Sequence, residues 1–316
     1  MARFRFGPAA RALGLLIATA APLCAADSPS SFTVVTVGSG VYAAIARPGS
    51  QTSVGNAGFI VGSEGVLVVD SFATPQAGKE LLGEIRRKTR LPVGWLVNTH
   101  HHLDHVGGNA VFAKEGAVVV AHENARAWIR VDELAQKVHV PPGDRDRFRR
   151  LILPAEAYRD RLTIWLGDRR LEIFSKPGHT GGDSMVSVPD ANVVFGGDLV
   201  QRATIPNLAD AKTDAWVQTL DGLVESFPSA TFVPGHGAVA RPLDLRALRD
   251  YLTGLRLAVA GALRDGKSGM SLSEAVLPQL RGAYGTWTWI EHVQDNVVQT
   301  EEELTGRKVF PTAPTP

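Results

Sequence analysis

The stretch THHHLDHVGG, residues 99–108, holds four of the nine histidines of the chain together with one aspartate. It follows the apolar run Trp95-Leu96-Val97, which is typical of the end of a buried strand. A loop at the end of a strand suits chemistry, because the sheet fixes its direction while the loop leaves its side chains accessible. Imidazole and carboxylate groups are the ligands that zinc prefers when no thiolate is present. The stretch therefore predicts a zinc site.

The spacing within this stretch favours two neighbouring metal ions. His100 and His102 are two residues apart, so both side chains can point to the same side of an extended segment. Asp104 and His105 follow a bend and can serve a second metal. The alternative is a solvated polar loop. Histidines packed at this spacing would repel one another if protonated and would have no role in a core if neutral, so we favour the metal site.

The composition of the whole chain is that of a globular protein. Its 316 residues allow one large domain or two small ones, and 44% of them are hydrophobic and 21% charged. The formal charge of +1 gives no reason to expect a nucleic acid or an acidic membrane as a partner. We expect a small-molecule substrate, and the sequence carries no signal of an oligomeric state.

Residues 1–26 have the pattern of an export signal. A basic start with three arginines is followed by the apolar run 12–23 and by small residues at 24–26, so we predict cleavage after Ala26. The alternative is a membrane anchor, but the apolar run is too short to span a bilayer. We therefore expect a periplasmic or secreted protein without a stable membrane anchor.

Cleavage there would remove Cys24, the single cysteine, and leave 30 basic against 32 acidic residues. The mature protein would then have no disulfide, and any zinc site in it would have to use histidine and aspartate alone.

Strands alternate with helices beyond residue 26, and no linker divides them. We predict one domain over residues 27–306, with two sheets packed between helices, and a loose tail over residues 307–316. Residues 131–160 lose periodicity, which fits either a disordered loop or a flap over the site. Helices are predicted over 75–90, 109–114, 122–130, 213–227, 243–265, 271–279 and 287–304, and strands over 32–37, 41–46, 56–61, 66–70, 93–98, 117–121, 161–166, 170–175, 185–188, 192–195 and 231–233.

Three later stretches also place a histidine or an aspartate beside glycine. They are PGHTGGD with His179, GGDLV with Asp198, and PGHG with His236. With the first stretch, HxHxDH, they resemble the four motifs of the metallo-β-lactamase superfamily, in order, over the chain up to about residue 240. Each later motif is common in loops when taken alone, whereas the four in order are specific.

The resemblance implies an α/β protein with an αββα four-layer sandwich fold and two zinc ions at one edge of the sheets. The first zinc would be bound by His100, His102 and His179, the second by Asp104, His105 and His236, and Asp198 would bridge them. By the same resemblance His101 is a spacer, and we expect it to point away from the metals.

Two branches of the superfamily compete for the function. The residues around His179 and around Asn207 are similar to β-lactamases whose second zinc is bound by a cysteine, but this chain has Asp198 at the position of that cysteine. Those enzymes hold the substrate carboxylate with a lysine where this chain has Gln201, with Arg202 beside it. An aspartate bridge resembles glyoxalase II-like thioesterases and lactonases instead.

In either branch the resemblance implies that zinc activates water for attack on a carbonyl carbon. Asp104 would orient that water and pass its proton to the leaving group. Arg202 and Asn207 are candidates for holding the substrate, or ordinary loop residues. Asp70 either orients a metal-binding histidine or caps its strand. We expect opening of a β-lactam or a related ester, with a thioesterase or lactonase as the alternative. A non-catalytic zinc-binding protein is the alternative of another class.

Overall fold

The computed structural model describes residues 30–130 and 151–309. The predicted export signal (1–26), most of the aperiodic segment (131–150) and the end of the predicted tail (310–316) lie outside these residues. Of the helices in the described ranges, none has the length and apolar character that crossing a bilayer requires.

The first sheet has seven strands, whose order in the sheet follows their order in the chain. The first four strands pair antiparallel, and the pairs from β4 to β7 are parallel. Its strands are β1 (Phe32–Gly38), β2 (Val41–Ala46), β3 (Ala57–Val61), β4 (Val66–Val69), β5 (Val93–Val97), β6 (Val118–His122) and β7 (Glu156–Tyr158). Its central strands read as continuous runs of buried apolar residues, because the sheet is covered on both faces.

The second sheet has five strands in the order β12-β11-β10-β9-β8, and β11 and β12 form its parallel pair. The strands are β8 (Arg161–Leu166), β9 (Arg169–Ser175), β10 (Ser184–Val188), β11 (Val193–Gln201) and β12 (Thr231–His236). The predicted hairpin turn at Gly167-Asp168 is confirmed, since β8 and β9 pair antiparallel on either side of it.

Helices cover the outer faces of both sheets. They are α1 (Pro75–Lys88), α2 (Leu103–Val106), α3 (Asn109–Lys114), α4 (residues 123–130), α5 (Thr213–Ser226), α6 (Pro242–Arg264), α7 (Gly269–Tyr284) and α8 (His292–Leu304). The predicted start of α1 is confirmed in detail: the side chain of Thr74 accepts a hydrogen bond from the amide of Ala77, and Pro75 is the first helical residue.

Three apolar clusters define the layers. Side chains from both sheets, such as Val97 and Phe195, fill the space between the sheets. Leu81 of α1 packs on the outer face of the first sheet. Trp216 of α5 and Leu255 of α6 pack on the outer face of the second sheet. The predicted αββα sandwich is therefore confirmed.

Strand β11 is longer than the sequence suggested. We expected it to end at Phe195, before two glycines, but it continues through Asp198 to Gln201. A register shift against β12 falls at Gly197, whose φ is +49°. A Cβ atom at Gly197 would lie 2.6 Å from Oγ1 of Thr99, so this glycine lets the strand pass close to the histidine loop.

The end of the chain differs from the expectation at two places. The predicted helix from residue 287 begins only at His292, since residues 287–291 form a loop that turns back onto the body. The tail is also not loose at its start: Lys308 is buried, and its ammonium group donates hydrogen bonds to the carbonyl oxygens of Leu208 and Ala211. The packed structure therefore extends to Lys308, because carbonyl groups that precede α5 need these donors.

Candidate metal centre

The sequence-predicted ligands meet at one edge of the two sheets. The loop 99–108 follows β5, His179 lies in the loop between β9 and β10, and Asp198 and His236 stand on the neighbouring strands β11 and β12. Glycine is required beside them, because a Cβ atom at Gly235 would lie 1.9 Å from Oδ1 of Asp198. The strand ends thus bring distant parts of the chain to a single point.

Three histidines form the first group of possible ligands: His100, His102 and His179. Nε2 of His179 and Nδ1 of His102 face each other at 3.1 Å. The ring of His100 lies 4.6 Å from that of His102 and 5.0 Å from that of His179, centroid to centroid. Ring nitrogens converge here as they do around a shared cation.

The second group consists of Asp104, His105 and His236. Oδ2 of Asp104 lies 3.2 Å from Nε2 of His236 and 3.4 Å from Nε2 of His105. Asp104 is only partly buried, with 23% of its side chain exposed, so it reaches the solvent side of the centre.

Asp198 lies between the two groups. Its Oδ1 is 3.1 Å from Nε2 of His105, and its Oδ2 is 3.2 Å from Nε2 of His236 and 3.5 Å from Nε2 of His179. Gln201 donates a hydrogen bond of 3.1 Å to Oδ2 and so fixes the carboxylate from the same strand. The carboxylate thus lies within 3.5 Å of histidines from both groups.

Unpaired polar atoms show that this donor set fits metal ions. Nε2 of His100, Nε2 of His105 and Oδ1 of Asp198 are buried, and none of them has a hydrogen-bond partner among the described residues. Burying such atoms without partners is costly, so they need a ligand. Imidazole nitrogens and carboxylate oxygens without thiolates are donors suited to zinc.

The charges of the centre are also those of a cation site. Burial lowers the pKa of His100 well below its ordinary value. Burial opposes charge on His105 and His236 too, but Asp104 and Asp198 raise both pKa values, that of His236 to about 9. The histidines in turn hold the pKa values of Asp104 and Asp198 well below the usual range in spite of burial. A metal would take the place of the protons on His105 and His236.

Asp70 holds the histidine loop from below. Its Oδ2 lies 2.8 Å from Nδ1 of His105, and Thr99 donates to it through both its amide, at 2.8 Å, and its hydroxyl, at 2.7 Å. The structure thus places Asp70 in both roles that the sequence left open: it orients a histidine and closes the end of its strand.

Asp183 holds the loop that carries His179. The amide and hydroxyl of Thr180 both donate to its carboxylate, the amide at 2.8 Å. Burial raises the pKa of Asp183 to about 7, although the hydrogen bonds from Thr180 act in the opposite direction.

Asp210 was missed as a functional residue by the sequence analysis. Its Oδ2 lies 3.2 Å from Nε2 of His102 and 3.5 Å from Nε2 of His101, so it orients His102 from outside the first group. His101 stays out of the two ligand groups described above, and its ring lies 5.7 Å from that of Trp128. No spacing rule links residues 101 and 210, and only the fold brings them together.

A cleft of about 460 Å³ opens above the centre, with His102, Asp104, Asp198 and His236 at its base. Asn207 lines this cleft, as the sequence analysis suggested. Arg202 does not: its guanidinium group contacts Asp244 at 3.1 Å and the carbonyl oxygen of Val239. The side chain of Arg202 is therefore engaged on the outer surface, and its role in holding substrate stays a prediction.

Comparison with known proteins gives related proteins of several activities. A sequence model of the metallo-beta-lactamase superfamily matches residues 51–236. The metallo-beta-lactamase type 2 of Bacillus cereus is 28% identical over 184 residues, which are 56% of this chain and 64% of that enzyme. The human acyl-coenzyme A thioesterase MBLAC2 is 31% identical over 155 residues, 44% of this chain and 54% of that enzyme. The match thus covers less than two thirds of the length of either relative.

Among solved structures, the metallo-beta-lactamase from Pontibacter korlensis superposes with a TM-score of 0.58 at 23% identity, covering 70% of this chain and 99% of that one. This likeness supports the sandwich fold. The activity has to be argued from the centre itself.

Proposed function

We propose that this chain, which belongs to the metallo-beta-lactamase superfamily, is a hydrolase that uses two zinc ions to cleave a cyclic amide or an ester. The observation that carries the proposal is Asp198, whose carboxylate lies within 3.5 Å of His179 in the first group of possible ligands and of His105 and His236 in the second. A purely structural zinc site is closed by four protein ligands, whereas this centre opens into a cleft.

The side chains divide between two metal positions. Asp198 would contribute to both, the first would use His100, His102 and His179, and the second would use Asp104, His105 and His236. When bound, zinc would lower the pKa of a water molecule from about 15.7 to about 7 and polarise the carbonyl oxygen of the substrate.

Asp104 is the proposed catalytic residue. It lines the cleft, and its low pKa keeps it ionised, so it can accept a hydrogen bond from the attacking water. Hydrolysis breaks the bond between the acyl carbon and the leaving oxygen or nitrogen, and the oxygen of water joins the acyl carbon. Asp104 is placed to carry the proton from that water to the leaving group.

The orienting residues keep this arrangement fixed before substrate binds. Asp70 holds His105, Asp210 holds His102, and Gln201 holds Asp198. Asp70 and Asp210 each contact the ring nitrogen that points away from the other possible ligands, which sets the orientation of the ring, and Gln201 fixes the carboxylate of Asp198 from the same strand.

Two features favour an ester or lactone over a β-lactam. Recognition of a β-lactam carboxylate would need a cation in the cleft, but the position of the lysine is taken by Gln201, which is bound to Asp198. The neighbouring Arg202 lies outside the cleft. The likeness to the human enzyme named an acyl-coenzyme A thioesterase supports acyl transfer to water more generally.

The test is hydrolysis of a chromogenic β-lactam, a thioester, a simple lactone and an aryl ester by the zinc-loaded protein. We expect turnover of at least one substrate, with loss after dialysis against a chelator and recovery when zinc is returned. Turnover that survives complete metal removal would contradict the proposal. A zinc-loaded protein inert towards all four substrates would be the non-catalytic zinc-binding protein.

We also propose that residues 1–26 direct export to the periplasm or the medium, on the basis of their basic start and short apolar run. Protein recovered from the cell envelope fraction should begin at Asp27, which N-terminal sequencing would measure. An intact Met1 in cytoplasmic protein would contradict this.

A further inference from the structure

The outer wall of the cleft comes from outside the region matched by the superfamily. Trp289 and His292, in the loop before α8 and at its first residue, line the cleft together with Val54 and Leu103 from the histidine-loop side. The ring of Trp289 lies 4.5 Å from that of His236 and 5.6 Å from that of His292, centroid to centroid. A large aromatic side chain thus stands directly beside a proposed metal ligand.

The loop that carries Trp289 is fixed to the body of the protein. The amide of Thr288 donates to the carbonyl oxygen of Ala203 at 3.0 Å, and the amide of Ile205 donates to the carbonyl oxygen of Thr288 at 2.9 Å. One residue earlier, the ring of Trp287 packs against Tyr284 at 4.9 Å. The loop is therefore anchored at the two residues that precede Trp289.

Trp289 itself has a left-handed backbone, with φ of +58°. This conformation is unfavourable for a bulky residue and persists only where the surroundings impose it, which happens most often at ligand-binding sites. A glycine would adopt it without strain. The strain and the position of the ring both indicate that the side chain is retained for contact in the cleft.

The walls of the cleft provide few favourable contacts for an anionic substituent of a substrate. Among the described residues no lysine or arginine lines it, and the acidic groups at its base are the carboxylates of Asp104 and Asp198. Apolar side chains such as Leu103 and Trp289 line the walls, with the amides of Gln51 and Asn207 and the imidazole of His292 as polar neighbours. Nδ1 of His292 is buried without a hydrogen-bond partner among the described residues.

We propose that Trp289 determines specificity by binding the apolar, flat acyl group of an uncharged ester or lactone, with His292 beside it. This rests on the proposed function. In such a substrate the acyl C–O bond breaks, the oxygen of water joins the acyl carbon, and the leaving alcohol receives the proton. The aromatic face binds the acyl group, and the absence of a cation in the wall selects against a carboxylate at the same position.

The first experiment compares three p-nitrophenyl esters with the zinc-loaded protein: acetate, phenylacetate and the negatively charged hemiglutarate. We expect kcat/KM for phenylacetate to exceed that for hemiglutarate by at least about tenfold. Trp289→Ala should lower kcat/KM for phenylacetate by about tenfold, mainly through KM, and change that for acetate by less than about threefold. Trp289→Phe should retain most of the preference.

Two controls separate this role from a structural one. Trp165 lies on β8 with 59% of its surface exposed, so Trp165→Ala should leave the ester preference unchanged. Trp289→Gly should remove the preference while the melting temperature stays the same or rises, because glycine relieves the strain at this position. A fall in melting temperature with an unchanged preference would make Trp289 a structural residue and overturn the inference.

Binding is measured separately, by calorimetric titration with phenylacetamide as a neutral ligand and glutarate as an anion. Phenylacetamide should bind the native protein more tightly than Trp289→Ala, by about tenfold. If none of the esters is hydrolysed, ester cleavage is removed from the proposed function, and this titration decides the role of Trp289 by itself. Preference for hemiglutarate, or equal binding of phenylacetamide by both proteins, would overturn the inference.

Discussion

The base and the wall of the cleft come from two regions of the chain with different characters. The base is built by residues 51–236, the region of the superfamily match, and its side chains are histidines and aspartates in short glycine-rich motifs. The wall includes Trp289 and His292, from the helical segment that follows that region. In our proposals the base supplies the chemistry, and the wall selects the substrate.

The two regions nevertheless share one core. Leu199 and Val200, next to Asp198 on β11, belong to the same buried cluster as Leu255 of α6 and Val297 of α8. Strand β11, which carries Asp198, therefore shares a buried cluster with the helices α6 and α8. We expect the regions to differ in function and to unfold together, and the following changes test that expectation.

The largest effect is expected in the base. Asp198→Ala removes the carboxylate shared by both ligand groups, so we expect hydrolysis to fall by more than about 1,000-fold, because bound metal stabilises the transition state by several kcal/mol. Metal content, measured by elemental analysis, should fall with it. The matched control is Asp190→Ala, at an exposed residue paired with Arg169, which should keep both. Full zinc content in Asp198→Ala would remove the bridging role.

The next effect concerns the shared core. Leu255 is fully buried, and Leu255→Ala should lower the free energy of unfolding by about 2–5 kcal/mol. Because the core is continuous, the metal-free protein should still unfold in one transition, followed by circular dichroism and tryptophan fluorescence together. The control is Leu257→Ala on the same helix, where the side chain is 65% exposed. Two separated transitions would mean that the wall segment is an independent unit.

A smaller effect, on zinc affinity, is expected for Asp70, which holds His105 from below the base of the cleft. Asp70→Asn keeps the shape but removes the charge that faces Nδ1 of His105, so zinc affinity should fall by about 10–100-fold. Competition with a chromogenic chelator measures this. Asp250→Asn, on the surface of α6 beside Arg249, should not change the affinity. An unchanged affinity in Asp70→Asn would reduce Asp70 to a strand cap.

Zinc affinity should also depend on pH, through a histidine at the base of the cleft. Asp198 and Asp104 raise the pKa of His236 to about 9 against the effect of burial, so this histidine is protonated below that pH in the metal-free protein. A protonated ring cannot bind zinc, and affinity should therefore fall as the pH falls below about 9, by about tenfold for each pH unit and each proton released. Chelator competition at pH 7 and pH 8 measures the slope. An affinity independent of pH would contradict the charge state given for His236.

The smallest effect is expected outside the cleft. Arg202 is paired with Asp244 on the surface, so Arg202→Ala should leave KM unchanged and cost about 0.2–1 kcal/mol of stability. Asn207 lines the cleft, and Asn207→Ala should raise KM by about two- to tenfold through loss of one hydrogen bond. Steady-state kinetics on the same ester distinguishes the two. A raised KM in Arg202→Ala would restore it as a substrate contact.

The sequence by itself was enough to predict the layered fold and the residues that meet at the base of the cleft. The four motifs place histidine or aspartate beside glycine, and their resemblance to the superfamily, taken in order, predicted a ligand set that includes His100, His102 and His179. The start of α1 was equally local, because a cap and a proline lie within a few residues of each other. These features depend on neighbours in the chain, and a pattern can therefore predict them.

Only the tertiary structure decided the surroundings of these ligands. Asp210 meets His102 across 108 positions of the chain, and Trp289 meets His236 through a loop that looked helical in sequence. Arg202 looked suitable for substrate until Asp244, on another element, was seen to hold it. Such contacts depend on how helices pack on sheets, and no local spacing records that packing. The residues of the centre can be predicted from short sequence motifs, whereas the selectivity that we propose depends on contacts between residues far apart in the chain.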